Sequence, residues 1–451
     1  LIARGSWSDI LAKNLSYNSS PPFMVLALNQ VLSVGESETM VRILPALAGM
    51  GTIFVIYNVC KKFVSNTFSA LAAILVAVSP AHVVLSRQFR IYEIGCFFAA
   101  LALLAAVKFH AQPNPRKAIL LGAAIFIGVQ VQYGLAPFFV GIMGALAVSL
   151  AKAYGVKRIS FTLAIVSIWA LAGIGTVYFV SLRHQFYSGR GSTYIKAYSG
   201  GLVKKAVTAG RRSLELAEYA LPSDIFVFAL GAGFLFLLGK SIFDVSALVL
   251  AFGMTIIGVL GIFNYYPYAP VRQCLFLTLP MYPVAVFGLQ QMKLMVGGRG
   301  PRWLAGLTIL VLMQPALLEC TDLLRMNRET PVTNAIQEIE RNFRDGDVLF
   351  VAPGSYPHFL YYGRTFPHAW VKGNGSEAWM SDERAWKHLV SNPPYLEQIE
   401  GLMRSHKRVW FLYTFRLPGE PELSELGAGR WWEARVRSVA KSPEITLALY
   451  E

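Results

Sequence analysis

Apolar runs separated by short polar gaps fill the first two-thirds of this chain. They cover residues 21–32, 41–60, 68–85, 94–107, 118–131, 135–150, 159–182, 225–238, 245–263, 274–289 and 303–318. A helix needs about 20 residues to cross a bilayer core of ~30 Å, and fewer when neighbours bury it. Most runs reach that length once their polar-flanked ends are counted. The first is shorter and opens on Pro21-Pro22, so it is expected along the membrane interface. The pattern predicts an α-helical polytopic membrane protein with about ten or eleven membrane segments in the chain.

Beyond Thr321 the pattern changes to polar and charged residues with Trp and Tyr spaced among them. Residues 332–343 and 394–405 have helical amphipathic spacing. Residues 347–352, 409–414 and 445–450 read as strands. Asp345-Gly346-Asp347 and Pro353-Gly354 supply turn signals. Alternating strands and helices predict a small C-terminal extracytoplasmic α/β domain. The expected division is a transmembrane module over residues 1–320 and this domain over 321–451.

Charge sets the expected orientation. Lys61 and Lys62, then Lys108, Arg116 and Lys117, then Lys152, Lys157 and Arg158, then Lys240, then Lys293, Arg299 and Arg302 fall in alternate gaps. The gaps between them hold Arg87 and Arg90, no charge near Gly134, and Arg272. The positive-inside rule places the first set in the cytoplasm. Outer loops are then expected over about 1–40, 86–93, 183–224 and 264–272, and the C-terminal domain lies outside. With residues 1–40 outside, a further membrane helix ahead of Leu1 is expected.

Composition narrows the function classes. Hydrophobic residues make up 55% and charged residues 15%, with a mean hydropathy of +0.47, which rules out an ordinary soluble profile. A net charge of +15 would suggest nucleic acid in a soluble protein. Here cytoplasmic loops and contact with anionic lipid or phosphate account for it, so no nucleic-acid partner is expected. Cys60, Cys96, Cys274 and Cys320 are scattered without metal-ligand spacing, and His82, His110, His184, His358 and His368 show none either. No metal site is expected.

Residues able to do chemistry gather at the outer ends of helices. Ser86-Arg87-Gln88-Phe89-Arg90-Ile91-Tyr92-Glu93 puts two arginines and a carboxylate at one boundary. Guanidinium is a planar, permanently charged fork suited to phosphate oxygens. Glu93 opens a membrane helix, where it is either a functional acid or a compensator of the helix dipole. Arg272 stands just ahead of another apolar run, after the aromatic stretch holding Tyr266. Gln132 and Tyr133 lie at a third outer end. The outer loop 183–224 carries Arg183, Arg190, Lys196, Lys204, Lys205, Arg211 and Arg212, and is expected either to rest on headgroups or to close over an anion.

In order along the chain come a polar loop with Pro21-Pro22-Phe23, Arg42-Ile43-Leu44-Pro45-Ala46-Leu47-Ala48-Gly49, Ser79-Pro80 and Arg90-Ile91-Tyr92. Arg272 and Pro280 follow. This series resembles the type C membrane glycosyltransferases, in particular the dolichyl-phosphate-mannose protein mannosyltransferase-like and aminoarabinose transferase-like group. The resemblance spans about residues 5–290 and is strongest over 16–95.

It implies a multi-pass plasma-membrane enzyme that moves a hexosyl or pentosyl group from a polyprenyl-phosphate donor to a lipid, glycan or protein acceptor outside the cell, with inversion. Arg87, Arg90 and Arg272 would then bind donor phosphate, and Tyr92, Gln132, Tyr133 and Tyr266 would line the substrate site. The family's principal acid is expected upstream of Leu1, with Glu93 as a second catalytic candidate. No fixed cofactor is implied, and a divalent cation is compatible with the chemistry. The competing readings are a transporter or flippase of lipid-linked saccharide and a non-catalytic relative.

Overall fold

The computed structural model describes residues 21–183, 201–295, 313–321 and 331–450, apart from 36, 89, 222, 241–244, 264, 266–270, 315–316, 353–354, 357–358, 361–362, 364–365, 374–394, 414–435 and 442–445. The chain divides into two compact units, Ile2–Leu323 and Leu324–Glu451.

The first unit is helical. Its elements are α1 (Pro22–Val34), α2 (Glu38–Cys60), α3 (Asn66–Ala77), α4 (Pro80–Ser86), α5 (Ile91–Ala111), α6 (Pro115–Val131), α7 (Leu135–Tyr154) and α8 (Val156–Val177). After a π-helical turn at Tyr178–Leu182 come α9 (Leu202–Ala220), α10 (Asp224–Lys240), α11 (Val245–Ile262) and α12 (Val271–Cys274). A 3₁₀ turn at Leu275–Thr278 then leads into α13 (Met281–Met295). Ser37 caps α2 by accepting from the Met40 amide, and Asn114 caps α6 by accepting from the Lys117 amide, so two polar gaps are converted into defined helix starts.

Apolar side chains point both ways from these helices. Inside, α5, α6 and α7 supply Cys96, Leu103, Leu121, Ile125, Phe138 and Phe139 to one continuous core. Outside, Phe54, Ile168, Leu171, Phe228 and Leu235 are each more than 60% exposed. A rim of large apolar residues around an apolar core is the distribution a lipid solvent requires. Among the described residues, five segments have the length and composition to cross a membrane, and up to seven do if each bent helix pair is one span. The shorter apolar helices Phe23–Val34 and Ala247–Ile262 lie below that length. The chain is a multi-pass helical membrane protein.

Two segments differ from the sequence expectation. The run 68–85 is not one helix, because α3 and α4 meet at a 57° bend. Pro80 has no amide hydrogen to continue the α3 ladder, so it opens a new helix instead. The expected outer loop 183–224 contains the 19-residue helix α9, whose buried side is Ala209, Leu216, Ala217 and Ala220. Arg211 and Arg212 both pair with Glu215 on its exposed side, so these cations are partly spent within the helix. Residues 184–200 of that loop, and most of the run 303–318, lie outside the described residues.

The second unit is α/β. Helix α14 (Pro331–Asn342) precedes β1 (Val348–Val351) and β2 (Trp370–Lys372), and α15 (Tyr395–Ser405) leads to β3 (Val409–Tyr413), β4 (Val436–Lys441) and β5 (Thr446–Tyr450). The sheet order is β2-β1-β3-β5-β4. Strands β1–β3 are parallel, with Leu349 opposite both Trp370 and Trp410, while β5 runs antiparallel to β3 and β4. Val332, Ile336 and Ile339 of α14 pack on Leu349, Val351, Trp410 and Leu412. Asp347 accepts from the Trp410 indole at 3.0 Å and faces Arg408 at 3.3 Å, which satisfies a buried polar group at the start of the sheet.

Candidate functional site

The bend at Ser79-Pro80 determines where the outer arginines stand. Helix α4 leaves the direction of α3 and ends after about two turns, and the chain enters α5 within a few residues. Arg87 terminates α4 and Arg90 is the N-cap of α5, in extended conformation at φ −136° and ψ 155°. Arg87 is half-buried and Arg90 exposed. Both therefore flank one turn, at the helix start where the backbone amides of α5 add positive potential.

Glu93 does not face the water beyond that turn. It is fully buried, and His82 of α4, 4% exposed, places its Nδ1 at 3.1 and 3.0 Å from the two carboxylate oxygens. Desolvation explains this. A carboxylate in the first turn of α5 that rotates inward loses its water and requires a hydrogen-bonded cation or donor. His82 is that group. Its Nε2 lies 3.4 Å from Thr278 Oγ1, while the Thr278 hydroxyl donates to the Leu275 carbonyl at 2.7 Å. The Tyr282 ring lies 6.1 Å from the imidazole, and its hydroxyl reaches the Ala220 carbonyl at 3.4 Å. One buried chain of polar contacts thus ties α5 to α4, to the 3₁₀ turn ahead of α13, and to the end of α9.

Gly49 of α2 allows this chain to close. A Cβ there would stand 3.1 Å from Ser86 Cβ and 3.5 Å from Glu93 Oε1. Gly95 has a sharper requirement, since its Cβ would fall 2.1 Å from Gln132 Oε1. Gln132, only 4% exposed, lies against the first turns of α5 and donates through Nε2 to the Gln273 carbonyl at 3.5 Å. Its Oε1 has no hydrogen-bond partner among the described residues. Gln132 therefore links the α6–α7 turn to α12, at the residue after Arg272.

The structure thus brings the surroundings of Arg87, Arg90, Glu93, Gln132 and the α12 backbone together, and α12 packs directly against α4. Tyr92 and Tyr133 are half-buried against the bundle core. Tyr266 lies outside the described residues, as does the side chain of Arg272. His82 and Thr278 join this buried cluster, and no local sequence motif points to either. The sequence signal for His82 is a titratable residue inside the apolar stretch Pro80–Leu85, which demands a buried partner. Among the described residues no group of three or more His, Cys, Asp or Glu could hold a metal ion.

Comparison with known proteins follows the same lines. Residues 19–176 match the family model described as dolichyl-phosphate-mannose-protein mannosyltransferase. No curated protein matches the chain significantly in sequence. In fold, the chain is similar to ArnT from Cupriavidus metallidurans bound to undecaprenyl phosphate, with a TM-score of 0.57 and 13% identity over 97% of this chain and 89% of that one. Apo ArnT from the same organism gives 0.55 at 13% identity, over 97% of this chain and 88% of that one. The Archaeoglobus fulgidus oligosaccharyltransferase in complex with zinc and sulfate gives 0.51 at 14% identity, over 88% of this chain and 60% of that longer one. The likeness to type C membrane glycosyltransferases is therefore one of sequence over residues 19–176, within the dolichyl-phosphate-mannose-protein mannosyltransferase model, and of fold over nearly the whole chain.

Proposed function

We propose that this protein transfers a sugar from a polyprenyl-phosphate donor to an acceptor on the extracytoplasmic face of the membrane, with inversion at the anomeric carbon. One observation carries the reading. The stretch that matches the mannosyltransferase model, 19–176, contains the elements that set Arg87 and Arg90 on either side of the α4–α5 turn. Donor phosphate binds there, and Arg272, carried by α12, is the third cation assigned to it. In the reaction the bond between the anomeric carbon and the phosphate oxygen breaks, and its electron pair leaves with prenyl phosphate. The guanidinium groups stabilise the charge that develops on that leaving group. The acceptor oxygen forms the new bond from the opposite side of the sugar and gives its proton to a carboxylate base.

Glu93, clamped on both oxygens by His82, serves this reaction as a positioning residue. It fixes the first turn of α5, and with it Arg90, against α4 and the turn ahead of α13. The base is a different carboxylate, outside the described residues. Tyr92, Gln132 and Tyr133 are assigned to the sugar, as is Tyr266, which lies outside the described residues, and a divalent cation remains compatible with the leaving phosphate.

The buried His82–Glu93 pair and the broken α3–α4 helix also favour a transporter, where ionisable groups and discontinuous helices mark a pathway. Glu93, however, is the third residue of α5, near one end of the span rather than the membrane midplane. Purified protein incubated with a panel of prenyl-phosphate sugars should release prenyl phosphate, detected by mass spectrometry. Failure to release it from every donor, together with movement of an intact donor across liposomes, establishes the transporter instead.

A further inference from the structure

The end of the bundle opposite Arg90 carries a second built feature. Helix α5 runs about 27 Å from Arg90 to Lys108 at 1.5 Å per residue. There Lys62, Lys108 and Lys117 line a cavity of about 380 Å³, together with Phe63, His110 and Gln112. No carboxylate is among its lining residues. Lys62 and Lys108 are exposed, and Lys117 donates to the neutral Gln112 Oε1 at 2.9 Å.

Lys108 and Lys117 belong at the same time to an adjoining groove of about 300 Å³ between α5 and α6. Its wall is apolar, with Leu101, Leu104, Ala105, Leu120, Ala124 and Ile127. Leu120 is 64% exposed and Ile127 37% exposed. A cationic mouth that continues into an apolar trough on a membrane-facing surface fits one class of ligand, an amphiphile with an anionic head. A free anion leaves the trough empty. A neutral lipid offers the three ammonium groups no opposite charge.

We propose that this groove is a binding site for an anionic diacyl phospholipid, with its headgroup phosphate among Lys62, Lys108 and Lys117 and one acyl chain along the α5–α6 trough. The site is separate from the outer arginine turn, and it stands whether the protein is a transferase or a transporter. Each lysine contributes about fivefold to the affinity for an anionic surface, so the three together are worth on the order of a hundredfold.

The test is native mass spectrometry of the full chain with phosphatidylglycerol, phosphatidylcholine or inorganic phosphate as probes. Phosphatidylglycerol is expected to remain bound where phosphatidylcholine does not. The triple variant Lys62→Gln, Lys108→Gln, Lys117→Gln should lower phosphatidylglycerol affinity about a hundredfold, while the matching Lys→Arg triple retains it. Ala124→Phe, which fills the trough and leaves every lysine in place, should lower it at least tenfold. Equal retention of phosphatidylcholine, displacement by inorganic phosphate alone, no effect of either the Gln triple or Ala124→Phe, or equal loss in the Gln and Arg triples overturns the proposal.

Discussion

At the residue scale the site depends on which polar groups are buried and which remain wet. Arg90 is exposed at the helix start and is free to meet an incoming phosphate. A hydrogen bond to a charged group is worth about 1.5–3 kcal/mol, so Arg90→Ala should reduce kcat/KM for a prenyl-phosphate donor roughly 10- to 100-fold, with expression unchanged. Steady-state turnover against donor concentration measures this, and an unchanged kcat/KM removes Arg90 from phosphate binding. Glu93 makes a different prediction, because the proposed role has it act through His82. If it were the base, Glu93→Gln would lower kcat about 10²–10⁴-fold at an unaltered donor KM. As a positioning residue it should instead raise donor KM about tenfold while turnover persists at saturation, and His82→Gln should give the same split. Gly95→Ala belongs to this scale too. The 2.1 Å approach of its Cβ to Gln132 Oε1 forces Gln132 away from the Gln273 carbonyl. Gly95→Ala combined with Gln132→Ala should recover stability that Gly95→Ala alone loses, as a thermal-unfolding double-mutant cycle would show.

At the element scale the decisive feature is the break between α3 and α4. Alanine at position 80 would restore an amide able to reach the Val76 carbonyl, so α3 can continue straight and carry Arg87 away from α12. Pro80→Ala should therefore leave the thermal transition within a few degrees of the parent while donor KM rises at least tenfold; parallel unfolding and kinetic measurements decide it. This break also shows how far the sequence could be read. The apolar run 68–85 carries no Asp, Glu, Lys or Arg, and Ser69, Ser79 and His82 are isolated in it, so hydropathy joins α3 and α4, and only Ser79-Pro80 marks the corner. Runs 118–131 and 135–150 were separable because Gln132, Tyr133 and Gly134 are polar or helix-breaking, and they appear as α6 and α7. Helix α9 was hidden by its charge, since Lys204, Lys205, Arg211 and Arg212 suggest a solvated loop. Its buried Ala209, Leu216, Ala217 and Ala220 nevertheless fall on one helical face. Strands β2 and β4 escaped notice because β2 has only three residues and β4 mixes Arg437, Ser438 and Lys441 with its apolar positions. The arginine turn was legible from residue type and position, whereas the His82–Glu93 pair depends on a tertiary approach that no local spacing encodes.

At the scale of the whole molecule, two units with separate cores predict separable damage. Asp347→Ala leaves the Trp410 indole without its buried acceptor and Arg408 without its buried counter-charge, at a cost of about 3–5 kcal/mol. Limited proteolysis should then cut the C-terminal unit early while the membrane unit stays protected. Orientation gives the wider test, because transfer from a lipid donor requires the arginine turn and the acceptor on the same side of the bilayer. Gln88 and Arg116 are both exposed and lie beyond opposite ends of α5. The lysine-rich gaps, including the one holding Arg116, should remain in the cytoplasm. The described cysteines Cys60, Cys96, Cys274 and Cys320 are all buried, so a new surface thiol can be read above a low background. A membrane-impermeant maleimide added to intact cells should label Gln88→Cys at once and Arg116→Cys only after permeabilisation. The reverse pattern would put the arginine turn in the cytoplasm, where donor phosphate would have to be used on the inner leaflet, and an extracytoplasmic transferase would no longer be tenable.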